Sequence, residues 1–144
     1  MKRWILLGLI ALTSLAWAQP LQAQVKFEKI TLDAARRKAA REGKYIFVDL
    51  YATWCGPCQT LDRKVFSKRA VGSFMDRHFV SLRFDVDREP GRTFARDYEV
   101  RSIPTMLIFD EQGNLLARTS GGRSADDFLE DMEELLEAIS ARRE

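Results

Sequence analysis

Tyr45-Ile46-Phe47-Val48-Asp49-Leu50-Tyr51 runs, after two residues, into Trp54-Cys55-Gly56-Pro57-Cys58, and Gln59 to Phe66 follows. The first stretch is almost wholly apolar and rich in β-formers, as a strand covered on both faces should be, and the last carries helix formers. Cys55 therefore falls at a helix N-terminus, where unpaired N–H groups and the positive end of the helix dipole favour a thiolate over a thiol. Cys55 reads as a nucleophile and the more exposed thiol of the pair. Cys58, one turn further along the same face, reads as the more buried resolving thiol that closes a disulfide after attack. Pro57 suits a first helical turn that needs no N–H, and Gly56 leaves room for a partner's backbone.

Two other uses of the cysteines are weaker. A structural disulfide over so short a loop contributes only about 2 kcal/mol by chain entropy. A zinc site needs about four ligands, and two cysteines with the single His78 do not supply a Cys/His set of that size. No metal is expected.

At 144 residues, 46% of them hydrophobic, the chain is long enough to bury one core without disulfide staples, which leaves both cysteines for chemistry. Lys2 and Arg3, the apolar run Trp4 to Leu15 and the small-x-small triplet Ala16-Trp17-Ala18 read as a secretory signal over residues 1–18. The run is shorter than the roughly 20 residues of a spanning helix, so a retained anchor is the lesser alternative. Residues 19–25 read as a flexible lead and 26–144 as one domain. The 23 Lys and Arg fall to 21 without Lys2 and Arg3, against 21 Asp and Glu, so the remaining chain is formally neutral. No basic face interleaved with aromatics appears, which speaks against nucleic-acid binding.

Taken in order, Val25 to Ile30 offers an edge strand, Thr31 caps a helix over 32–42, and Gly43 ends it. Asp49 is the one acid in the apolar strand. Burial would raise its pKa, placing a proton acceptor for Cys58 beneath the helix start; the plain alternative is an exposed acid at a strand end. Asp62, one turn beyond Cys58, either faces the sulfurs or is an ordinary solvated helical acid. Ser67 is a cap for a helix to about Arg77, and His78 reads as a dipole-complementing charge at its end rather than a catalyst. Phe79 to Val86 alternates as the next parallel strand, and Asp85, Asp87 and Glu89 read as a solvated loop. A short helix over 91–98 follows. Ile103-Pro104-Thr105 opens another strand; a cis bond there would leave the Ile103 backbone free to pair with an extended substrate. Gly113 takes the positive-φ place in a hairpin turn to 115–119, Gly121-Gly122 marks a bulge or close approach, and Ser124 caps an amphipathic helix bearing Phe128, Met132 and Ile139. The order implies an α/β fold with a mixed central sheet flanked by helices on both faces.

Trp54-Cys55-Gly56-Pro57-Cys58 with Asp49, Ile103-Pro104-Thr105 and Gly121 resembles the thioredoxin family over about residues 26 to 140. The resemblance implies the thioredoxin fold, attack by Cys55, resolution by Cys58, assistance from Asp49, and a cis Pro104 lining a substrate groove with Trp54, Gly56, Pro57 and Ile103. It implies no cofactor beyond the Cys55–Cys58 redox-active disulfide. Arg83 stands at the family's lysine position near the buried acid, and Arg63 where ordinary thioredoxins carry a helix-kinking proline. Asp49-Leu-Tyr-Ala-Thr-Trp-Cys55 and Leu61-Asp-Arg-Lys-Val-Phe-Ser67 are more similar to the C-terminal domain of DsbD-type interchange proteins, in which an acid matches Asp62. The expectation is a freestanding, monomeric, periplasmic protein-disulfide reductase, with disulfide-containing exported proteins as substrates and a membrane electron donor. An oxidant or isomerase of the same fold, or a non-enzymatic binding or chaperone module, are the alternatives.

Overall fold

The computed structural model describes residues 24–142, so the expected signal peptide and most of the expected lead lie outside the described residues. The chain forms α1 (Leu32–Glu42), β1 (Tyr45–Tyr51), α2 (Gly56–Leu61), a π-helical turn (Asp62–Phe66), α3 (Arg69–His78), β2 (Phe79–Asp85), α4 (Gly91–Asp97), β3 (Thr105–Phe109), β4 (Leu115–Ser120) and α5 (Ala125–Ala141). The sheet order is β2-β1-β3-β4, with β1 parallel to β2 and antiparallel to β3, and β4 antiparallel to β3.

Side chains alternate across the sheet, so β1 feeds two cores. Phe47 joins Phe66, Phe79, Met106, Phe128 and Met132 on the face covered by the π-turn, α3 and α5. Ile46, Val48 and Leu50 join Ala35, Ala39, Leu82, Phe94 and Leu107 on the face covered by α1 and α4. Phe47 is fully buried, with edge-to-face contacts to Phe66, Phe79 and Phe128 at centroid distances of 5.9–6.3 Å. The mixed, doubly covered sheet is the expected thioredoxin fold.

Local signals account for most boundaries. Thr31 Oγ1 accepts from the Ala34 N–H at 3.1 Å, and Ser124 Oγ from the Asp127 N–H at 3.1 Å. Gly43 closes α1 at φ 65°, a left-handed position that glycine occupies without a Cβ penalty.

Five expectations need correction. Residues 59–66 are not one α-helix: α2 ends at Leu61 and the chain widens into the π-turn. Ser67 does not cap α3; its hydroxyl donates to the Arg63 carbonyl at 2.7 Å, and Lys68 holds the cap position with no side-chain bond. The leading segment is not a full edge strand, since it meets β2 only at Phe27 and Ser81. Val25, placed in the lead, is buried in the larger core, its N–H bonded to the Phe66 carbonyl at 2.8 Å. Gly121-Gly122 is not a bulge, since the sheet irregularity falls at Ile108 and Phe109; a Cβ on Gly121, at φ 89°, would meet nothing within 4 Å, and one on Gly122 would stand 4.0 Å from the Pro57 Cβ. The Ser67 hydroxyl makes the i−4 back-bond open to any helical serine, which leaves it unavailable as a cap for α3.

Candidate redox site

β1 delivers the chain to the Thr53–Trp54 turn, and Cys55 takes the N-cap of α2 with φ −76° and ψ 108°. Its sulfur accepts from the Cys58 N–H at 3.3 Å, filling a role that an N-cap oxygen commonly fills. Cys55 and Cys58 are joined as a disulfide, with Cα atoms 5.3 Å apart. Pro57 falls in the first helical turn, where its missing N–H leaves no gap.

The disulfide form buries both cysteines. In this disulfide form Cys55 is 3% and Cys58 2% exposed, because Ala52, Tyr51, Val86 and Ile103 pack around them. What projects is Trp54, 69% exposed, with Gly56 and Pro57 also open to solvent. The indole is not loose: Trp54 Nε1 donates to Asp87 Oδ2 at 2.7 Å. Asp87, read from sequence as part of a solvated loop, is thus a site residue that sequence reasoning missed. The two lie 33 positions apart, and no local pattern links them.

Ile103 packs directly on the cysteine cluster, and the Ile103–Pro104 bond is cis. Pro104 is buried, and its carbonyl accepts from the Gly121 N–H at 3.0 Å. β3 and β4 thereby fix the wall opposite the α2 N-terminus.

Asp49 is 1% exposed, which excludes the alternative of a solvated acid at a strand end. The β1–β2 register sets it beside Arg83. Arg83 Nε lies 3.0 Å from Asp49 Oδ2, and a terminal guanidinium nitrogen lies 2.7 Å from Asp62 Oδ1. One cation therefore bridges both acids. The N–H groups are not aimed along the carboxylate lone pairs, and neither Asp49 oxygen has a well-formed hydrogen bond among the described residues. The pair is held by charge rather than direction. Burial consequently dominates, and the Asp49 carboxyl is pushed up to about 7, with Arg83 pulling it down and Asp62 adding repulsion. Asp62 pairs with Arg83, and no hydrogen bond joins it to either sulfur among the described residues.

The guanidinium is itself sandwiched, 4.0 Å from the Tyr51 ring centroid and 5.1 Å from that of Phe27. Such stacking suits arginine's planar, weakly hydrated head and fixes it between the acids. His78 sits at the end of α3 against the Phe74 ring, and burial lowers its pKa. Among the described residues no cluster of three or more His, Cys, Asp or Glu could hold a metal, and no helix is long and apolar enough to cross a membrane.

This geometry supports thiol–disulfide exchange: a vicinal cysteine pair at a helix start, a carboxyl poised near neutrality, and an exposed aromatic platform. Comparisons with known proteins agree. The thioredoxin-like family model matches residues 26–111. DsbD of Haemophilus ducreyi, a thiol:disulfide interchange protein, is 30% identical over 78% of this chain, which spans only 20% of it. A Synechocystis thioredoxin-like protein is 32% identical over 62% of this chain and 80% of its own. The chain spans 26% of another relative, UBX domain-containing protein 2 of Schizosaccharomyces pombe. Among solved structures, a Bacteroides thetaiotaomicron protein proposed to be a disulphide-isomerase superposes with a TM-score of 0.71 at 32% identity, covering 81% of this chain and 97% of that one. The Neisseria meningitidis DsbD C-terminal domain superposes at 0.60 over 76% of this chain and 97% of that one, and its 22% identity speaks to fold alone. With its redox-active disulfide at Cys55 and Cys58, the chain belongs to the thioredoxin-like family of thiol:disulfide oxidoreductases.

Proposed function

We propose that the chain works outside the cytoplasm, in the periplasm, as a reductase of disulfides in exported proteins. The observation that carries the exchange chemistry is the Cys55 sulfur at the α2 N-cap, receiving the Cys58 N–H at 3.3 Å; the reductive direction rests on the Gly56-Pro57 pair between the cysteines, which resembles that of the reducing members, and the location on the signal pattern of residues 1–18. The N-cap environment stabilises a Cys55 thiolate once the pair is reduced. The thiolate attacks one sulfur of a substrate disulfide, forming a mixed disulfide and releasing the other sulfur as a thiolate. Cys58 then gives its proton toward Asp49, directly or through water, and attacks the Cys55 sulfur. The second substrate thiolate leaves, and the Cys55–Cys58 disulfide forms. Two electrons pass to the substrate, and a dithiol donor, assigned to the membrane, restores the pair.

Trp54, Gly56, Pro57, Ile103 and Pro104 are assigned to substrate contact. Trp54 supplies a flat apolar surface, and the Ile103 main chain pairs with an extended substrate segment. Insulin reduction with a supplied dithiol, together with partner trapping by Cys58→Ser, tests the assignment. Accumulated Cys55 mixed disulfides with exported proteins are the expected outcome. A reduction potential near that of strong oxidants, with dithiols rather than disulfides trapped, would reverse the direction of flow. No insulin reduction and no trapped species would leave a binding module.

A further inference from the structure

The sheet is incomplete at its outer edge. β2 is outermost, and residues 24–30 pair with it only at Ser81, whose carbonyl accepts from the Glu28 N–H at 2.8 Å. Just beyond β2, Val86 donates inward to the Tyr51 carbonyl at 2.9 Å. Main-chain groups alternate sides along a strand, so even-numbered residues of β2 turn to β1 and odd-numbered ones turn outward. Past Ser81 the next outward residue is Arg83, and its N–H and C=O have no main-chain partner among the described residues. They face a groove, not a strand.

That groove encloses about 590 Å³ and is walled by Phe27, Ile30, Tyr51, Phe84, Pro90 and Phe94. It continues into the redox site through Tyr51, which packs on the cysteine cluster and carries the Arg83 guanidinium on its ring. The charges on its rim do not balance. Glu28 is paired with Lys38 at 2.8 Å, and Arg83 is held by Asp49 and Asp62. Lys29 is exposed and has no ion partner among the described residues, leaving one uncompensated positive charge. Apolar walls alone would suit many ligands. The open Arg83 N–H and C=O beside them call for a peptide backbone, and the lysine calls for a carboxylate.

We propose that this groove is a strand-addition site for an extended apolar peptide bearing one acidic side chain. The peptide's main chain pairs with Arg83, its alternate side chains settle between the Phe27 and Phe84 walls, and its carboxylate meets Lys29. Binding there requires neither cysteine and is therefore independent of the redox reaction.

The test uses the full chain, both with its disulfide and as the Cys55→Ser/Cys58→Ser variant. The probe is a fluorescein-labelled Val-Thr-Val-Glu-Val-Thr-Val peptide. Saturable anisotropy of equal affinity in both proteins is expected. At saturation, hydrogen exchange of the Arg83 amide should slow about tenfold or more, because strand addition engages that N–H. Lys29→Glu should weaken binding about fivefold to tenfold, as expected for replacing an attractive by a repulsive exposed pair, while insulin reduction is unchanged. Ile30→Asp should weaken it further; if that variant misfolds, Lys29→Glu and the Arg83 exchange rate still decide. Absence of saturable binding, binding without slower Arg83 exchange, or binding lost with the cysteines would each overturn the proposal. So would a concentration-dependent protection of Arg83 without peptide, which would mean that two copies pair edge to edge.

Discussion

Asp49→Asn tests the balance between burial and the Arg83 charge through folding stability alone. In the folded chain the Asp49 pKa is about 7 against an ordinary 3.8. Below pH 3.8 the carboxyl is protonated in both folded and unfolded chains. Between 3.8 and about 7 the folded chain keeps a proton that the unfolded chain gives up, so stability falls as pH rises; above 7 both are ionised and the loss is complete. About three pKa units at 1.36 kcal/mol each make that loss about 4 kcal/mol. Asparagine does not titrate. Its own hydrogen-bonding deficit adds an offset that does not vary with pH. The unfolding free energy of Asp49→Asn minus that of the parent should therefore grow by about 4 kcal/mol between about pH 4 and pH 8 and then level off. Urea unfolding of the disulfide form at fixed pH values reads this directly, with all other carboxylates common to both proteins. A difference flat across the range would mean that Asp49 is solvated like an unfolded acid. A difference running the other way would mean that Arg83 outweighs burial and holds the carboxyl ionised, which would refute the reasoning.

Two further outcomes follow from the same geometry. Asp62→Asn removes a repulsion on Asp49 and frees Arg83 for it, so the pH midpoint for mixed-disulfide resolution, followed by stopped-flow, should move down while the plateau rate stays within about threefold; a collapse of the plateau would make Asp62 itself the proton acceptor. Phe47→Ala empties a fully buried site ringed by three aromatics and should cost about 3–5 kcal/mol in urea unfolding, whereas less than about 1 kcal/mol would mean that the core collapses into the space.

The sequence was most legible where one local pattern and one physical demand coincide. The run 45–51 could be little but a covered strand, Thr31 and Ser124 stand three residues before the N–H groups they cap, and two cysteines three apart after a strand point to one chemistry. Asp49 was legible as an anomaly, a single acid in an apolar run, although its neighbour Arg83 emerged only through the β1–β2 register. What stayed hidden depends on distant elements or on backbone phase. Trp54 and Asp87 meet because two loops leave the same sheet end. Ser67 has the composition of a cap, yet its hydroxyl bonds back to the Arg63 carbonyl. The single bridge of Phe27 to Ser81 looks in sequence like any apolar strand, since nothing in Val25 to Ile30 marks where the chain turns away.

The π-turn at Asp62–Phe66 has a consequence for chain length. An i→i+5 turn holds one residue more than an α-turn over the same stretch of axis. Here the surplus lies among solvent-facing positions: Arg63 and Lys64 are exposed, while Leu61 before them and Val65 and Phe66 after them are anchored in the core. Losing one exposed residue would let the backbone relax to ordinary α pitch without pulling either anchor from its place, whereas a deletion within α5 would rotate every later apolar side chain by about 100° away from the core. Deleting Arg63 or Lys64 should therefore cost less in urea unfolding than deleting one residue within α5, and an equal loss would mean that the π-turn holds no slack.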